Sequence, residues 1–222
     1  MNKGWRLREA TRKLRTFCVE GNMSQVWDQR YAGEEFHFGK EPNAFLRSQQ
    51  ARLPKSGHCL AIADGEGRNG IWLAQQGLDV LAVDSSSVAL RKARCHADEN
   101  RVQVTFEQAD LLNWDWGTAR FDVVVGIFIQ FTPPGLREEM FECIKQCLKP
   151  GGLLLLQGYA PRQLEYRTGG PSQVENLYTA ELLRLAFADM DIEHLREHDS
   201  VIHEGAGHDG LSALVDLVAV KR

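Results

Sequence analysis

The chain has 222 residues, of which 43% are apolar and 25% charged, and this is the composition of an ordinary globular domain. No apolar run approaches the ~20 residues that a membrane-spanning helix needs, so the sequence predicts no transmembrane segment. The formal net charge is −4, and an acidic body is poorly suited to a phosphate backbone, which argues against nucleic acid as a partner.

Residues 1–22 differ from the rest because they carry six basic residues and two glutamates, while the other 200 residues carry a net charge of −8. Such a segment could be an amphipathic docking or targeting arm. We favour a disordered N-terminal extension, followed by a single domain over residues 23–222. The five cysteines are odd in number and scattered, and no secretory signal precedes them, which indicates reduced thiols in a cytoplasmic protein.

Short apolar runs alternate with segments of helical period from residue 58 onward. The runs predicted as strands are 58–63, 79–84, 102–110, 121–128 and 153–159. The predicted helices are 70–77, 86–100 and 135–148, with a serine as the N-cap of the second. The tail continues with a helix near 179–188 and with strands near 191–198 and 211–220.

Strands that alternate with helices of this length predict a parallel sheet with right-handed crossovers. The last two strands have no helix between them and predict an antiparallel hairpin. We therefore predict an α/β fold, a doubly wound, mostly parallel seven-stranded sheet with helices on both faces. Its expected strand order is 3-2-1-4-5-7-6, with the last strand antiparallel.

A glycine-rich turn follows the first strand. Its residues Gly65-Glu66-Gly67-Arg68-Asn69-Gly70 match G-x-G-x-x-G, and the turn lies where open α/β sheets bind their ligands. Asp64 and Glu66 would repel a pyrophosphate, whereas S-adenosylmethionine (SAM) presents a positively charged sulfonium and ammonium group. The turn therefore favours SAM over NAD, and Asp84, at the end of the second strand, suits the ribose of either cofactor.

Four stretches, in this order, resemble class I SAM-dependent methyltransferases: "AIADGEGRNGIWLAQQGLDVLAVDSS", "QADLLNW", "FDVVVGIF" and "CLKPGGLLLLQGY". The resemblance covers about residues 24–222 and is strongest to the branch of small bacterial proteins similar to tellurite-resistance and thiopurine methyltransferases. The upstream stretch "WDQRYAGEEFHFGKEPNAFL" is similar to the N-terminal lid of that branch, which implies a lid over residues 23–50. Gly39, Pro42 and Asn43 of this lid would close over the cofactor.

The resemblance also implies roles for residues at the strand ends. Gly65 and Gly67 would line the methionine part of SAM, and Asp84 would hold the ribose. Asp110 would bind the adenine amino group, and Ile127 would border the methionine end. Together the predicted cofactor-binding residues are Gly39, Asn43, Asp64, Gly65, Glu66, Gly67, Asn69, Asp84, Ser85, Asp110, Leu111 and Ile127.

Two positions depart from the family. It usually has an acid at the position of Ala61 and a first glycine at the position of Ala63. Asp64 could replace the missing acid as the partner of the SAM ammonium group, or it could be an acid favoured at a helix N-terminus.

The methyl acceptor is expected among the lid, the loops after the fourth and fifth strands, and the loop before the last strand. Tyr159, Arg162 and His203 are predicted to face it, and His203 or His208 is the best candidate for removing a proton. The alternative is structural, since His and Tyr beside glycines in loops commonly cap backbone groups. Gln130 stands where the related proteins often carry His. No metal site is predicted, because the late histidines are not spaced to share one helical face.

The predicted function is transfer of a methyl group from SAM to a small soluble acceptor, with S-adenosylhomocysteine as the product. The acceptor would be a thiol, a chalcogen oxyanion or a small metabolite. A SAM-binding module without methyl transfer is the alternative, motivated by Ala61, Ala63 and Gln130, and an NAD(P)-dependent oxidoreductase is a third possibility. We expect a monomer or homodimer that acts on a small molecule, not on nucleic acid or a membrane.

Overall fold

The structure is a computed structural model that describes residues 23–222, so the extension predicted at 1–22 lies outside the described residues. The strands are β1 (His58–Ile62), β2 (Asp79–Asp84), β3 (Thr105–Gln108), β4 (Phe121–Ile127), β5 (Leu148–Tyr159), β6 (Met190–His203) and β7 (Asp209–Lys221). The helices are α1 (Met23–Arg30), α2 (Ala44–Ser48), α3 (Arg68–Gln75), α4 (Ser87–Asn100), α5 (Leu136–Cys147), α6 (Gln163–Tyr166) and α7 (Ala180–Ala186). Short 3-10 helices span Gln50–Arg52 and Val174–Asn176.

The seven strands form one sheet in the order β3-β2-β1-β4-β5-β7-β6. The first five strands pair in parallel, and β7 pairs antiparallel with both β5 and β6. This confirms the predicted fold class, the predicted strand order and the antiparallel last strand.

Helices cover both faces of the sheet because the central strands are apolar on both sides. On β1, Leu60 joins a buried cluster with Phe141 of α5, whereas the next residue, Ala61, joins a second cluster with Trp72 of α3. The near-continuous burial of β4 reflects the same double cover. The sheet is therefore rigid where β1, β2 and β4 end side by side.

Helix starts follow local signals in the sequence. Ser86 caps α4, as predicted, by accepting a hydrogen bond from the amide of Ala89 at 3.1 Å. Asn43 caps α2 in the same way through Leu46, at 3.0 Å. Within residues 23–222 no helix is both long and apolar enough to cross a bilayer.

Three strands differ from the predictions by more than two residues at one end. β3 is shorter, since this edge strand pairs only through four residues of β2. β5 begins at Leu148 and not at residue 153, because Leu148 already pairs with Phe121 before the register shifts. β6 extends to His203, past the predicted end at 198, because it pairs with β7 along its length although it is polar.

Candidate active site

A cavity opens at the carboxyl ends of β1, β2 and β4, beneath the N-terminal segment, and holds about 1070 Å³ of empty space including its open mouth. Asp64, Asp84 and Asp110 give it an acidic lining, and each lies at or just after the end of a different strand of the sheet. Aromatic rings supply much of the remaining lining: Trp27, Tyr31, Phe38, Phe128 and Phe131. One cavity therefore combines three carboxylates with an aromatic wall.

Two aspartates hold the glycine-rich turn in place by accepting hydrogen bonds from backbone amides. The two oxygens of Asp84 accept from the amides of Gly65 and Ser86, at 2.9 and 2.8 Å. The carboxylate of Asp64 accepts from the amide of Gly70 at 3.0 Å, at the start of α3. A Cβ at Gly70 would lie 2.5 Å from Asp64 Oδ2, so the third glycine of the motif makes room for this acid.

The backbone of the turn adopts conformations that favour glycine. Gly65 has φ of +57°, and a Cβ there would lie 2.6 Å from the hydroxyl oxygen of Tyr31. Ala63 has φ of +49°, in the left-handed region that is strained for a residue with a side chain. The glycine that the family resemblance implies at position 63 therefore has a physical reason. In this chain the backbone is strained there, because the residue is alanine.

Burial sets the charge of the acidic lining. It raises the pKa of Asp64 to about 7, against the lowering effect of its hydrogen bond from Gly70. Burial also raises the pKa of Asp84, although the amides of Ser86 and Gly65 oppose the shift. A bound cation would favour the ionised forms of both carboxyl groups.

Glu66, predicted to bind the cofactor, does not line the cavity. Its carboxylate is buried and pairs with Lys92 Nζ of α4 at 2.7 Å. It also accepts a hydrogen bond from the amide of His37 at 2.8 Å. Glu66 thus ties residues 23–50, the segment predicted as a lid, to α4, and the acidic character of the cavity comes from the three aspartates instead.

The other predicted cofactor residues fall into three groups. Those on the lining, besides Asp64, Asp84 and Asp110, are Asn69, Ser85, Leu111 and Ile127. Gly67 lies behind them, where a Cβ would sit 2.9 Å from Ala93 of α4. Gly39 and Asn43 belong to the cover of the cavity, which the lid and a late loop form.

The lid meets the loop between β6 and β7 at very short range. A Cβ on Gly205 would lie 2.5 Å from the carbonyl oxygen of His37, and the amide of Gly207 donates to that oxygen at 3.1 Å. Gly39 faces the same loop, since its own Cβ would lie 3.6 Å from the amide nitrogen of Gly205. Arg68 of α3 donates to the carbonyl of Phe38 at 3.1 Å. The predicted lid and the late loop therefore contact each other directly, and each contributes a residue, Phe38 and His208, to the cavity lining.

His208 stands in the aromatic part of the cavity. Its ring is buried. The centroid of the ring lies 4.4 Å from that of Phe38 and 4.3 Å from that of Phe128. Phe128 has φ of +57°, a strained conformation for a bulky residue that directs the chain just after β4. Burial lowers the pKa of His208, which keeps the imidazole neutral near pH 7.

The other predicted acceptor residues lie elsewhere. His203 is 76% exposed and pairs with Asp209 at 2.6 Å, and Arg162 is 58% exposed and pairs with Asp199. Neither lines the cavity. Tyr159 is buried behind the lining, stacked on Phe128 at 4.6 Å. Of the four predicted residues, His208 alone reaches the cavity surface.

Gln130 has a structural role in this chain. Its amide nitrogen donates to the carbonyl of Tyr159 at 2.9 Å, and its amide oxygen accepts from the amide of the same residue at 2.5 Å. The side chain therefore holds the end of β5 in place. Among residues 23–222 no group of three or more His, Cys, Asp or Glu could hold a metal ion.

Sequence reasoning did not single out Tyr31, Phe38, Arg68 or Phe128. Arg68 is buried and forms an ion pair with Glu204 at 2.6 Å, across 136 positions of sequence. No spacing pattern marks such contacts, because they depend on the tertiary fold. Trp27 also lies on the lining, where it stacks on Tyr31 at 5.8 Å between ring centroids.

Residues 59–152 match the family model of a methyltransferase domain. A carboxy-S-adenosyl-L-methionine synthase of Photobacterium profundum is 35% identical over 86 residues, which are 38% of this chain and 35% of that protein. The chain thus matches about a third of the length of this curated relative.

Solved structures show the same fold. One is a structure solved for the conversion of a disulfide bond into a thioacetal group during echinomycin biosynthesis. It has a TM-score of 0.73 and 22% sequence identity, and the match covers 90% of this chain and 92% of that chain. TehB from Haemophilus influenzae has a TM-score of 0.65 and 14% identity, covering 90% of this chain and 67% of its own.

The fold is shared with solved SAM-dependent methyltransferases, and residues 59–152 are similar to a methyltransferase domain. The match and the fold support the predicted class of enzyme and the prediction of SAM as its cofactor.

Proposed function

We propose that this protein transfers a methyl group from SAM to a small, neutral acceptor whose nucleophilic atom carries a proton. The observation that carries the proposal is the single cavity in which Asp64, Asp84 and Asp110 share the lining with His208. The carboxylates suit a cationic adenosyl compound, and the imidazole suits removal of a proton.

The residues present fit SAM. Asp84 would accept hydrogen bonds from the ribose hydroxyls and Asp110 from the adenine amino group, while Asp64 would face the positive charge of the methionine part. Gly65 supports this fit indirectly, because its missing side chain makes room for Tyr31, whose ring lines the cavity. Bound SAM would supply an electrophilic methyl group on a positively charged sulfur.

The lining also narrows the class of acceptor. The guanidinium of Arg68 is already neutralised by Glu204, while three aspartates line the same cavity. An anionic acceptor such as a chalcogen oxyanion would be repelled there, although the similarity of fold to TehB supports the tellurite-resistance-like branch. The rings of Phe38 and Phe128 beside His208 favour an apolar acceptor instead. A thiol or a neutral small metabolite fits both observations.

His208 is the residue that we assign to proton removal. Its lowered pKa leaves it unprotonated near pH 7, so it can accept a proton from a thiol or hydroxyl. The in-line transfer then needs mainly positioning, which the closed lid and late loop provide.

The alternative is a module that binds SAM, or a modified SAM, without methyl transfer. Two observations favour it: alanine at both positions 61 and 63, and the name of the curated relatives, carboxy-S-adenosyl-L-methionine synthase. The two hypotheses differ in the product that the protein forms.

The test is incubation of the protein with SAM and a panel of thiols, neutral metabolites, chalcogen oxyanions and small acids, with mass spectrometry of the acceptor and of the adenosyl compound. We expect S-adenosylhomocysteine and a methylated neutral acceptor. The variant His208→Gln should lose about 10²-fold or more in rate, whereas the matched variant His203→Gln should keep the wild-type rate. Absence of methylated product across the panel would favour the binding module, and equal loss in both variants would remove His208 from its assigned role.

A further inference from the structure

Glu204, in the loop between β6 and β7, is a buried carboxylate held from two other elements. Arg68 Nη2 of α3 donates to Oε2 at 2.6 Å, and Asn43 Nδ2 donates to Oε1 at 2.9 Å. The amide of Ala44, at the start of α2, lies 3.3 Å from the same Oε1. Burial alone would raise the pKa of Glu204, but the neighbouring His208, the charge and hydrogen bond of Arg68 and the amide of Ala44 together lower it to about 2. The carboxylate is therefore a fixed negative charge.

A chain of buried amides continues behind Glu204. Asn43 Nδ2 also donates to Gln157 Oε1 of β5 at 2.7 Å, and Gln157 Nε2 donates to Asp216 Oδ1 of β7 at 2.6 Å. His198 of β6 lies 2.8 Å from the other oxygen of Asp216. This network ties Asn43 to the sheet, so Glu204 cannot shift without breaking several buried hydrogen bonds.

His208 lies on the other side of Glu204. Its Nδ1 atom is 3.9 Å from Glu204 Oε2, an ion-pair separation that is longer than a hydrogen bond. Nδ1 is buried and has no hydrogen-bond partner among the described residues. Glu204 supplies the nearby acceptor for a proton on Nδ1, which leaves Nε2 as the nitrogen available to a ligand.

Charges from several elements act on the His208 ring. Glu204 raises its pKa, whereas burial, Arg68 of α3 and His37 of the lid lower it. Phe38 and Phe128 pack on the ring, and Tyr159 of β5 lies 5.5 Å away between ring centroids. Glu204 is thus the one group among these that favours the protonated imidazole.

We infer that Glu204 is a positioning residue, which holds His208 with its proton on Nδ1 and stabilises the imidazolium formed when Nε2 takes a proton from the acceptor. The inference rests on the proposed function for that last step. The acceptor's proton ends on Nε2 and leaves to solvent when the cover opens, while the proton on Nδ1 stays on the ring. Glu204 remains ionised throughout, as its many donors require.

The test combines nitrogen NMR of ¹⁵N-histidine-labelled protein with pH profiles of turnover, using Glu204→Gln. In the wild type we expect the Nδ1–H tautomer of His208. In the variant we expect its pKa to fall by about one unit and the acidic limb of the kcat profile to move to lower pH by a similar amount. The matched control is Asp209→Asn, which removes a carboxylate from the exposed pair with His203 in the same turn and should leave His208 unchanged.

The readouts separate failure of this inference from failure of the proposed function. If no acceptor is methylated, the proposed function fails, while the tautomer and pKa of His208 still decide the role of Glu204. An Nε2–H tautomer in the wild type, or an unchanged His208 pKa in Glu204→Gln, would overturn the inference. If Glu204→Gln does not fold, Glu204→Asp keeps a negative charge in the loop but moves it away from both Arg68 and His208, which face the same oxygen, and it should lower the His208 pKa by a smaller amount.

Discussion

Asp84 and Gly65 are joined across the ends of two neighbouring parallel strands, where Asp84 Oδ2 accepts a hydrogen bond from the Gly65 amide at 2.9 Å. The contact fixes the glycine-rich turn to the end of β2, and the second oxygen of Asp84 fixes the start of α4 through Ser86. The same carboxylate lines the cavity, so Asp84 both organises the turn and forms part of the cavity wall.

Replacement of Asp84 by Ala should weaken binding of SAM and of S-adenosylhomocysteine to a similar extent, because both carry the ribose. Loss of a charged hydrogen-bond partner costs about 1.5–3 kcal/mol, or roughly 10- to 150-fold in Kd, by calorimetric titration. The control is Asp79→Ala, at the exposed opposite end of the same strand. Unchanged affinity in Asp84→Ala would mean that the ribose contact is misplaced.

Asp64 should make the free protein less stable as the pH rises. Its pKa is about 7 when folded, so between about pH 4 and pH 7 the folded state retains a proton that the unfolded state has lost. The free energy of unfolding therefore decreases across this range, by at most about 1.4 kcal/mol per unit of pKa difference.

Asp64→Asn should remove this decrease and weaken SAM binding at pH 8, where the wild-type carboxylate is ionised. Denaturant unfolding and SAM titration at pH 5 and pH 8 measure both effects, with the exposed Asp98→Asn as the control. A wild-type protein whose stability is flat over this range would contradict the account of Asp64.

Ala63→Gly should be neutral or stabilising, because it relieves a residue with φ of +49°. The left-handed conformation costs alanine about 1–2 kcal/mol, which offsets the roughly 0.5–1 kcal/mol of backbone entropy that glycine loses on folding. The neighbouring Ala61→Gly, in the buried strand β1, should be destabilising by comparison. Denaturant unfolding of both variants tests the contrast, and an equal loss in the two would rule out strain at Ala63.

Gly205→Ala should destabilise the protein and weaken SAM binding, because the added Cβ would meet the lid backbone at 2.5 Å and φ there is +71°. We expect a loss of about 1–3 kcal/mol of unfolding free energy. Gly33→Ala is the matched control in the lid segment, since no atom lies within 4 Å of its added Cβ. If both variants have the same unfolding free energy and the same affinity for SAM, the close contact between the lid and the late loop contributes to neither stability nor SAM binding.

The fold could be predicted from the sequence because its signals are local. Apolar runs that alternate with helical periods define the central strands, and Ser86 marks the start of α4. The boundaries of β3 and β6 could not be predicted from the sequence. Both are edge strands that expose polar residues, which weakens the apolar pattern. In β6 the long pairing with β7 determines the length, and that pairing is not visible in β6 itself.

The acidic part of the site could be placed from the sequence, whereas its aromatic part could not. Asp64 and Asp84 follow predicted strands, and parallel strands bring their carboxyl ends together. Phe38 and Phe128 come from segments far apart in sequence, and the direction of the second depends on a strained backbone. The choice between His203 and His208 likewise depends on how one loop folds against the lid.

The central claim is that this cavity takes a cationic adenosyl compound and not a dinucleotide. Calorimetric titration of the full chain with SAM, S-adenosylhomocysteine and NAD tests it directly. We predict saturable heat with SAM and with S-adenosylhomocysteine, and none with NAD. Saturable heat with NAD alone would contradict the account.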